Sequence, residues 1–400
     1  MDPGVLAPAE ARWFGVGYSA SPDPESAAAE ATDAALAGRA ASLLVVFCSV
    51  GYELHRLLEG IRVRAGRRVA IVGCTTLGQL ASSMTAPGAD GVVVNALGGE
   101  GFQVRTRVSR AASHRRREAG RLAAGCLTGV NRAHRVCLLL CDGLVGEQHE
   151  IVRGVYSVVG ASVPLVGGCA GDDLSYSRTY QFHGDDTGVE VLSDAVVGVA
   201  LGSDAPLGIG IGHGWRKRGE PMHVTSSSGG RLYELDHEPA LDVYLHRIGA
   251  DRSLVADLSA FRRAVFHSPL GLSRRSGEDI RVIHSGDTGD GSLLCLADVP
   301  KGALAWLMET DTEALIAGAK ESLTQAVTEL GGADPIGLLT FDCGARKVML
   351  GADGMRQEVA AMTSVIGDAP FGGFYTYGET ARTNGARGMH HLTLVTLAIS

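Results

Sequence analysis

Short apolar runs alternate with stretches of helical periodicity along most of this chain. The runs are about four to eight residues long and rich in Val, Ile and Leu, as in LLVVFC after Ser42 and VCLLLC after Arg135. Runs of this kind are typical of strands that are buried on both faces of a sheet. Between two of them, Ile151, Val155 and Val159 fall on one stripe of a helix. The pattern predicts an α/β fold.

Three stretches of the chain repeat one order of elements. Each has an apolar run that ends near a cysteine, then an amphipathic helix, a second apolar run with a Gly-rich end, and a β-branched run. The first two copies keep a steady offset, 93 residues from Leu43 to Val136 and 94 from Val72 to Val166, and a third copy begins at Ile336. We therefore predict repeated strand–helix–strand–strand units, with parallel pairing across each helix, that form mixed sheets covered by helices.

The repeat pattern stops after the second copy and resumes only at Ile336. The intervening residues contain a predicted hairpin, IRVIHSGDTGDGSLLCLADV, whose turn at Asp287–Gly291 has the Gly and Asp content of a tight connection. A helix with Leu315 and Leu323 on its apolar side follows. We predict two domains: residues 12–212 with two internal repeats, and residues 213–400 with a hairpin-and-helix insert and the third repeat-like unit.

Composition narrows the classes of function. A formal net charge of -8 over 400 residues disfavours a general nucleic-acid binder, which usually carries a basic surplus. No secretory signal begins the chain and no apolar stretch reaches the ~20 residues of a membrane helix, so a cytoplasmic location without a membrane partner is expected. The eight cysteines form no CxxC pair and are expected to be reduced and buried. No metal site is predicted, and a homodimer is left open.

Candidate chemistry lies where the second strand of each copy ends. In the predicted register, Gly78-Gln79, Gly171-Asp172 and Gly378-Glu379 occupy the same place. In open α/β sheets, ligands bind outside the carboxyl ends of the strands, where a glycine allows close approach and an acid accepts hydrogen bonds. The alternative is that Asp172, Asp173 and Glu379 only cap the turns that follow them.

Longer motifs resemble one known family. VPLVGGCAGDDLSYSRTYQF, from Val163, and GHGWRKRGEPMHVTSSSGGRLYELDHEPALDVY, from Gly212, resemble the family's first signature and the junction between its two parts. FDCGARKVMLG, from Phe341, and PFGGFYTYGETARTNGARGMHHLTLVTLA, from Pro370, are similar to its carboxyl-terminal motif. By these motifs the chain is identified as a member of the FIST family of sensory domains, from about Trp13 onward.

The resemblance implies a sensor of a small ligand in bacterial signal transduction, and amino acids are among the ligands proposed for the family. Relatives are often joined to histidine kinases, chemoreceptors or cyclic-nucleotide enzymes, or encoded beside them, so a separate signalling protein of this kind is the expected partner. One branch of the family binds haem and senses nitric oxide. Carried over by position, the ligand-binding residues are Gly167, Gly168, Asp172, Asp173, Cys343, Arg346, Tyr375, Tyr377, Glu379 and His390.

These residue types suit a zwitterionic ligand. Arg346 is expected to form a bidentate pair with a ligand carboxylate, and Glu379 or Asp172 to accept from an ammonium group. Tyr375 and Tyr377 would supply apolar walls with a polar tip. The sequence therefore predicts a non-catalytic protein that binds a small molecule such as an amino acid.

Two other functions stay open at this stage. Haem needs one axial histidine and an apolar cleft, and His390, His213 and His183 are the candidate ligands. The final motif of the family usually has Asn after its histidine, where this chain has His391, which puts the haem inference in doubt. A Cys-dependent hydrolase would use Cys343 with His390 as its base, although no complete catalytic set accompanies that pair.

Overall fold

The chain is a mixed α/β protein in which one structural unit, called a repeat below, occurs three times. The computed structural model describes residues 11–160, 162–274, 277–382 and 388–400. The first repeat comprises β1 (Trp13–Ser19), α1 (Pro24–Leu36), β2 (Ala41–Ser49), α2 (Leu54–Ala65), β3 (Ala70–Thr76), β4 (Gln79–Ala81) and β5 (Val92–Gly98). The second comprises β6 (Phe102–Arg110), α3 (Arg116–Ala123), β7 (His134–Cys141), α4 (Gln148–Val159), β8 (Leu165–Cys169), β9 (Gln181–Asp185), β10 (Gly188–Leu192) and β11 (Ala195–Ser203).

The third repeat is interrupted by an insert. It begins with β12 (Leu207–Gly212), and the insert, residues 213–311, follows at once. The insert contains β13 (Arg216–Ser228), β14 (Arg231–Leu235), β15 (Glu238–Pro239), α5 (Ala240–Ile248), α6 (Ser253–Ala256), α7 (Leu258–His267), β16 (Leu270–Arg274), β17 (Gly277–Arg281), β18 (Ile283–Gly286), β19 (Leu293–Cys295) and β20 (Leu304–Glu309). The repeat resumes with α8 (Thr312–Thr328), β21 (Gly337–Cys343), α9 (Gly344–Ile366), β22 (Phe371–Thr376), β23 (Glu379–Arg382), β24 (Met389–His390) and β25 (Leu394–Ile399).

Each repeat forms the centre of its own sheet. The strand orders are β1-β5-β2-β3-β9-β10, β24-β23-β8-β7-β11-β6 and β12-β25-β21-β22-β4. The pairs β2/β3, β7/β8 and β21/β22 are parallel across a helix, and the last strand of each repeat lies antiparallel on the other side. The predicted repeats and their parallel pairing are confirmed. Their predicted extent was too short, because a further strand and helix, such as β1 and α1, precede each unit.

Short strands are exchanged between the repeats in a cycle. The first repeat's β4 pairs with β22 of the third, the second repeat's β9 pairs with β3 of the first, and the third repeat's β23 pairs with β8 of the second. Each sheet is therefore completed by a neighbour. The three repeats form one interlocked body around a pseudo-threefold axis.

Helices cover the outer faces of the sheets, and the inner faces share one apolar core. The inner core joins residues of all three repeats, and the rings of Phe47 and Phe374 lie 4.4 Å apart within it. The glycines of the GIGIG run in β12 allow α8 to lie directly on that strand. A Cβ at Gly208, Gly210 or Gly212 would come within 1.9 Å of a helix carbonyl oxygen. The close contact between β12 and α8 accounts for the glycines of this run, so the run does not indicate a nucleotide-binding site.

The insert has its own antiparallel sheet and its own apolar core. The predicted hairpin is confirmed as β18 and β19, which pair across the turn after Gly286. The domain boundary at residue 212 stays a prediction, and β12, which precedes it, pairs with β25 and so lies in the third sheet.

Candidate functional site

The strand ends of the three repeats meet around the pseudo-threefold axis. Leu77, Gly171 and Tyr377 follow β3, β8 and β22, and each donates its backbone N–H to a carbonyl oxygen of another repeat. The distances are 3.0 Å from Leu77 to Tyr375, 2.9 Å from Gly171 to Thr75 and 3.3 Å from Tyr377 to Cys169. Loops that follow these ends line the two cavities described below, as expected for an α/β sheet.

The residues that correspond between the repeats differ from the predicted set. Gln79, Gln181 and Glu379 each begin an exchanged strand, opposite Phe374, Cys74 and Gly168 respectively. Asp172 was predicted to be the counterpart of Glu379, but the counterpart is Gln181. In the second repeat a longer loop, residues 172–180, separates the strand end from the exchanged strand. Because of this longer loop, the structural counterpart of Gln79 and Glu379 is Gln181 and not Asp172, the residue that the sequence register indicated.

The first cavity lies between the insert and the three-repeat body, with a volume of about 490 Å³. The body contributes Leu77, the loop after β7, the loop at Leu174 and Tyr176, and the start of α9. The insert contributes α7 and the hairpin of β18 and β19. Its side of the wall consists of Arg262, Phe266, Val282, Ile283, His284, Leu294, Cys295 and Leu296. The lining is therefore mostly apolar.

A few polar groups face the first cavity. Arg262 lies over the ring of Tyr176, 5.0 Å from its centroid, and among the described residues no carboxylate pairs with its guanidinium. His391 is buried, and burial lowers its pKa to about 3, so its imidazole is neutral at physiological pH. Its Nε2 has no hydrogen-bond partner among the described residues. Among the described residues, the cavity thus offers the unpaired guanidinium of Arg262 and the imidazoles of His391 and His284, the pKa of His284 also being lowered by burial.

Tyr377 forms part of the wall, and Asp172 contacts it from the side away from the cavity. The Tyr377 hydroxyl donates to the Asp172 carboxylate, and its ring stacks on Tyr176 with centroids 4.8 Å apart. Asp172 also accepts from the Ser175 hydroxyl and from three backbone N–H groups. Burial alone would raise the pKa of Asp172, but these donors outweigh it and lower the pKa to about 2. Asp172 therefore organises the loop and does not line either large cavity.

Gly167 and Gly168 have packing roles in β8. A Cβ at Gly167 would lie 2.0 Å from the Leu139 carbonyl oxygen, and one at Gly168 would lie 2.9 Å from Cγ2 of Thr376. Neither glycine lines the first cavity or the second. Asp173, by contrast, is exposed and lines the second cavity described below.

The surroundings of Arg346 contradict the expectation that this residue binds a ligand carboxylate. The side chain is fully buried, and its Nε donates to Asp342 at 2.6 Å. The remaining guanidinium nitrogens donate to Glu358 and to the carbonyl oxygens of His213 and Leu315. These partners occupy the group that was expected to bind a ligand carboxylate. Arg346 therefore joins the start of α9 to its later turns.

Tyr375 and Glu379 are also buried away from the cavities. Tyr375 packs in the core between its sheet and α9, where its hydroxyl has no hydrogen-bond partner among the described residues. Glu379 accepts from the hydroxyls of Thr376 and Thr393, each at 2.9 Å. Burial nevertheless raises the pKa of Glu379 to about 8. Neither side chain is placed to contact a ligand directly, contrary to expectation.

The three histidines predicted as haem ligands do not line the first cavity. At least one ring nitrogen of each has a protein partner: Nδ1 of His213 lies 2.9 Å from the Trp215 N–H, Nε2 of His183 lies 2.9 Å from the Thr106 hydroxyl, and Nε2 of His390 lies 2.9 Å from the Ala381 carbonyl oxygen. The three histidines therefore do not share the apolar first cavity, the kind of cleft that a haem needs. Among the residues that the structure describes, no group of three or more His, Cys, Asp or Glu could hold a metal ion.

Cys343 lines the first cavity, but it is not arranged as an activated nucleophile. Burial raises the pKa of its thiol, with the carboxyl of Glu379 adding to the effect. Nε2 of His390, its predicted base, is directed to the Ala381 carbonyl oxygen. A reactive thiol needs a lowered pKa and a base within reach. The hydrolase reading therefore lacks support at this position.

Sequence reasoning missed the residues that the insert brings to the first cavity. Arg262 and His284 lie outside the repeats, so the repeat register gave no reason to select them. His391 could have been found, because it stands where the resembling family usually has Asn. Tyr176 lies within the first signature and was passed over in favour of Asp172 and Asp173. No helix among the described residues is long and apolar enough to cross a membrane.

Relatives of this chain are found in distant organisms. Over 403 residues it is 25% identical to an uncharacterized protein of Mycobacterium tuberculosis, with 95% of this chain and 97% of that protein aligned. Over 173 residues it is 27% identical to an uncharacterized protein of Methanocaldococcus jannaschii. That match takes in 41% of this chain and spans only 33% of the archaeal protein.

Two solved structures align over nearly all of the chain with low similarity. One is a chorismatase, with a TM-score of 0.37 and 9% identity over 99% of this chain and 100% of that one. The other is a cyanuric acid hydrolase from A. caulinodans, with a TM-score of 0.35 and 10% identity over 98% of this chain and 99% of that one. Scores this low carry no inference about activity.

Two family models match this chain and identify its family. The FIST N domain matches residues 42–238, and the FIST C domain matches residues 240–382. These ranges contain the second repeat, the insert and most of the remaining two repeats. The chain therefore belongs to the FIST family of sensory domains that act in signal transduction.

Proposed function

We propose that this protein is a sensor that binds a small, largely apolar organic anion in the first cavity. The observation that carries the proposal is the unpaired guanidinium of Arg262 at the wall of a cavity lined mainly by apolar side chains. A carboxylate is the natural partner of such a group, because guanidinium donors match its two oxygens. Amino acids with apolar side chains are zwitterions, but they present a carboxylate of the same kind. Glu147, exposed at the rim, could accept from their ammonium group.

Signalling would follow from the position of the cavity. A ligand between the insert and the body contacts both, and it favours the conformation in which both contacts are made. The altered surface of the insert would then be recognised by a separate protein, such as a histidine kinase or a cyclic-nucleotide enzyme. The proposed function does not involve catalysis, and the raised pKa of the Cys343 thiol supports this view.

A ligand panel on the purified protein tests the proposal. L-leucine, L-phenylalanine, 4-methylpentanoate and 3-phenylpropionate are screened by thermal shift, because a ligand that binds the native state raises the melting temperature. The affinity of any binder should fall about tenfold or more in Arg262→Met, since a charge-assisted hydrogen bond is lost. Arg263→Met, its exposed neighbour on α7, is the matched control. Unchanged affinity in Arg262→Met, or no binder in the panel, would contradict the proposal.

Haem is the second candidate, because His391 brings an unpartnered Nε2 to an apolar cavity. His391 would be the axial ligand in place of the three histidines first considered. The absorption spectrum of the protein separates the two candidates. A Soret band that shifts with nitric oxide and is lost in His391→Gln would favour haem.

A further inference from the structure

A second cavity lies at the strand ends of the first repeat. Its volume is about 660 Å³, and it is formed by loops of the first repeat, the loop at Asp173 and Leu174, and α9. Leu77 and Leu174 line both this cavity and the first one. The second cavity is therefore a separate chamber that shares part of a wall with the first.

Lys347 brings a half-buried ammonium group to the second cavity. Its Nζ donates to the carbonyl oxygen of Leu77 and, at 2.8 Å, to that of Gly88. Gly78 and Gly88 both have positive φ, and a Cβ at Gly78 would lie 2.7 Å from Nζ, so glycines make the space for this group. Among the described residues no carboxylate pairs with Lys347. An ammonium has three N–H donors, which leaves one for a further acceptor.

Carboxylates line the same cavity from other loops. Asp90 accepts from the Ser49 hydroxyl at 2.9 Å and has room for a further donor. Asp173 is exposed and, among the described residues, no donor pairs with its carboxylate. The apolar part of the wall consists of Val50, Leu77, Leu174, Val348 and Met355. Charges of both signs thus lie around a partly apolar space.

We propose that the second cavity binds a small zwitterion. The carboxylate of the zwitterion accepts from Lys347, and its ammonium group faces Asp90 and Asp173. A ligand with only a negative charge would be repelled by the two carboxylates, and one with only a positive charge would be repelled by Lys347. A molecule that carries both charges therefore fits best. This site is distinct from the one in the first cavity, where Arg262 is the unpaired charge among the residues that the structure describes. The protein would then report two ligands.

Calorimetry with short zwitterions tests this site. L-alanine and γ-aminobutyrate are the probes, and acetate and propylamine, each with only one of the two charges, are the comparison compounds. At least one zwitterion should bind, and more tightly than acetate or propylamine. Asp173→Asn and Lys347→Met should each weaken that binding about tenfold, the loss expected for one charged hydrogen bond. Asp186→Asn, an exposed aspartate elsewhere, is the matched control.

Two variants, Asp173→Asn and Arg262→Met, make the outcome of this experiment unambiguous. Asp173 is on an exposed loop, so Asp173→Asn should fold even if Lys347→Met does not. Arg262→Met separates the two cavities, because L-alanine and γ-aminobutyrate lack the large apolar group proposed to occupy the first cavity, so their affinity should be unchanged. Zwitterion binding that is lost in Arg262→Met, or retained in Asp173→Asn, would overturn the proposal. So would the absence of binding by both zwitterions.

Discussion

Glu379 is the ionisable member of three residues that occupy corresponding places in the repeats. Gln79 and Gln181 fill that place in the other two repeats with neutral amides. Glu379 is fully buried, and its raised pKa of about 8 means that most molecules carry it protonated at neutral pH. A protonated carboxyl resembles an amide in size and polarity. In the third repeat, a protonated Glu379 therefore takes the place of the neutral amide found in the other two repeats.

Glu379→Gln should flatten the dependence of stability on pH. The pKa of Glu379 in the folded protein, about 8, lies above its ordinary value of 4.5, so its favourable contribution is complete below pH 4.5 and is lost as the pH rises through 8. The full loss is on the order of 5 kcal/mol in the free energy of unfolding. Urea unfolding from pH 5 to 9 measures it. Glu329→Gln, on the surface, is the control, and equal slopes in wild type and Glu379→Gln would contradict the prediction.

The sequence predicted the types of buried polar residue better than their roles. Arg346 and Tyr375 were carried over from the family resemblance, and Glu379 from the resemblance and the repeat register, and their chemistry suits a ligand. The structure buries all three, and Asp342 and Glu358 take the donors of Arg346. Asp342 lies in β21 and Arg346 in the first turn of α9, and because only four residues separate them, this partner could have been foreseen. Glu358, beyond the break in α9 at Gly351, could not.

At the scale of elements, the loop of residues 172–178 separates the first cavity from the second. Leu174 and Tyr176 in this loop have positive φ, a conformation that costs energy for residues other than glycine. The Asp172 carboxylate holds the loop by accepting from the backbone N–H groups of Tyr176, Ser177 and Arg178. The side chain of one residue thus stabilises the wall between the cavities.

Asp172→Ala should loosen this loop without unfolding the body. The amides of Tyr176, Ser177 and Arg178 would lose their acceptor, so their hydrogen exchange should accelerate about tenfold or more. Exchange followed by mass spectrometry on peptides that cover the loop measures this change. Asp173→Ala should leave the exchange of the same amides unaltered. Equal protection in Asp172→Ala and wild type would show that other contacts hold the loop.

The elements were predictable to different degrees. Buried strands and amphipathic helices follow from periodicity along the chain, and α1 begins as its cap indicates, with Asp23 accepting from the Ser26 N–H at 2.8 Å. Strand pairing across a helix also follows from local rules. The exchanged strands β4, β9 and β23 could not be assigned, because their partners are in other repeats and the pattern within one repeat does not name them.

For the whole molecule, the first cavity has one wall from the insert and one from the three-repeat body. Asp298 of the insert accepts from Arg153 at 2.8 Å and lies 3.6 Å from His149, both on α4 of the body. The cavity is lined from the insert by Cys295 and from the body by Cys343. Both thiols are buried, so their accessibility reports whether the insert separates from the body.

Asp298→Asn should raise the rate at which Cys295 and Cys343 react with an aromatic disulfide reagent. The ion pairs of Asp298 are partly exposed and should each contribute less than about 1 kcal/mol, so the expected acceleration is about two- to fivefold. Mass spectrometry identifies the labelled thiols, and Cys48 and Cys74, in the sheet of the first repeat, should keep their rates. Asp287→Asn, whose carboxylate pairs with Arg231 inside the insert, is the matched control. If Asp298→Asn leaves both rates unchanged, the contact with α4 does not control access to the cavity.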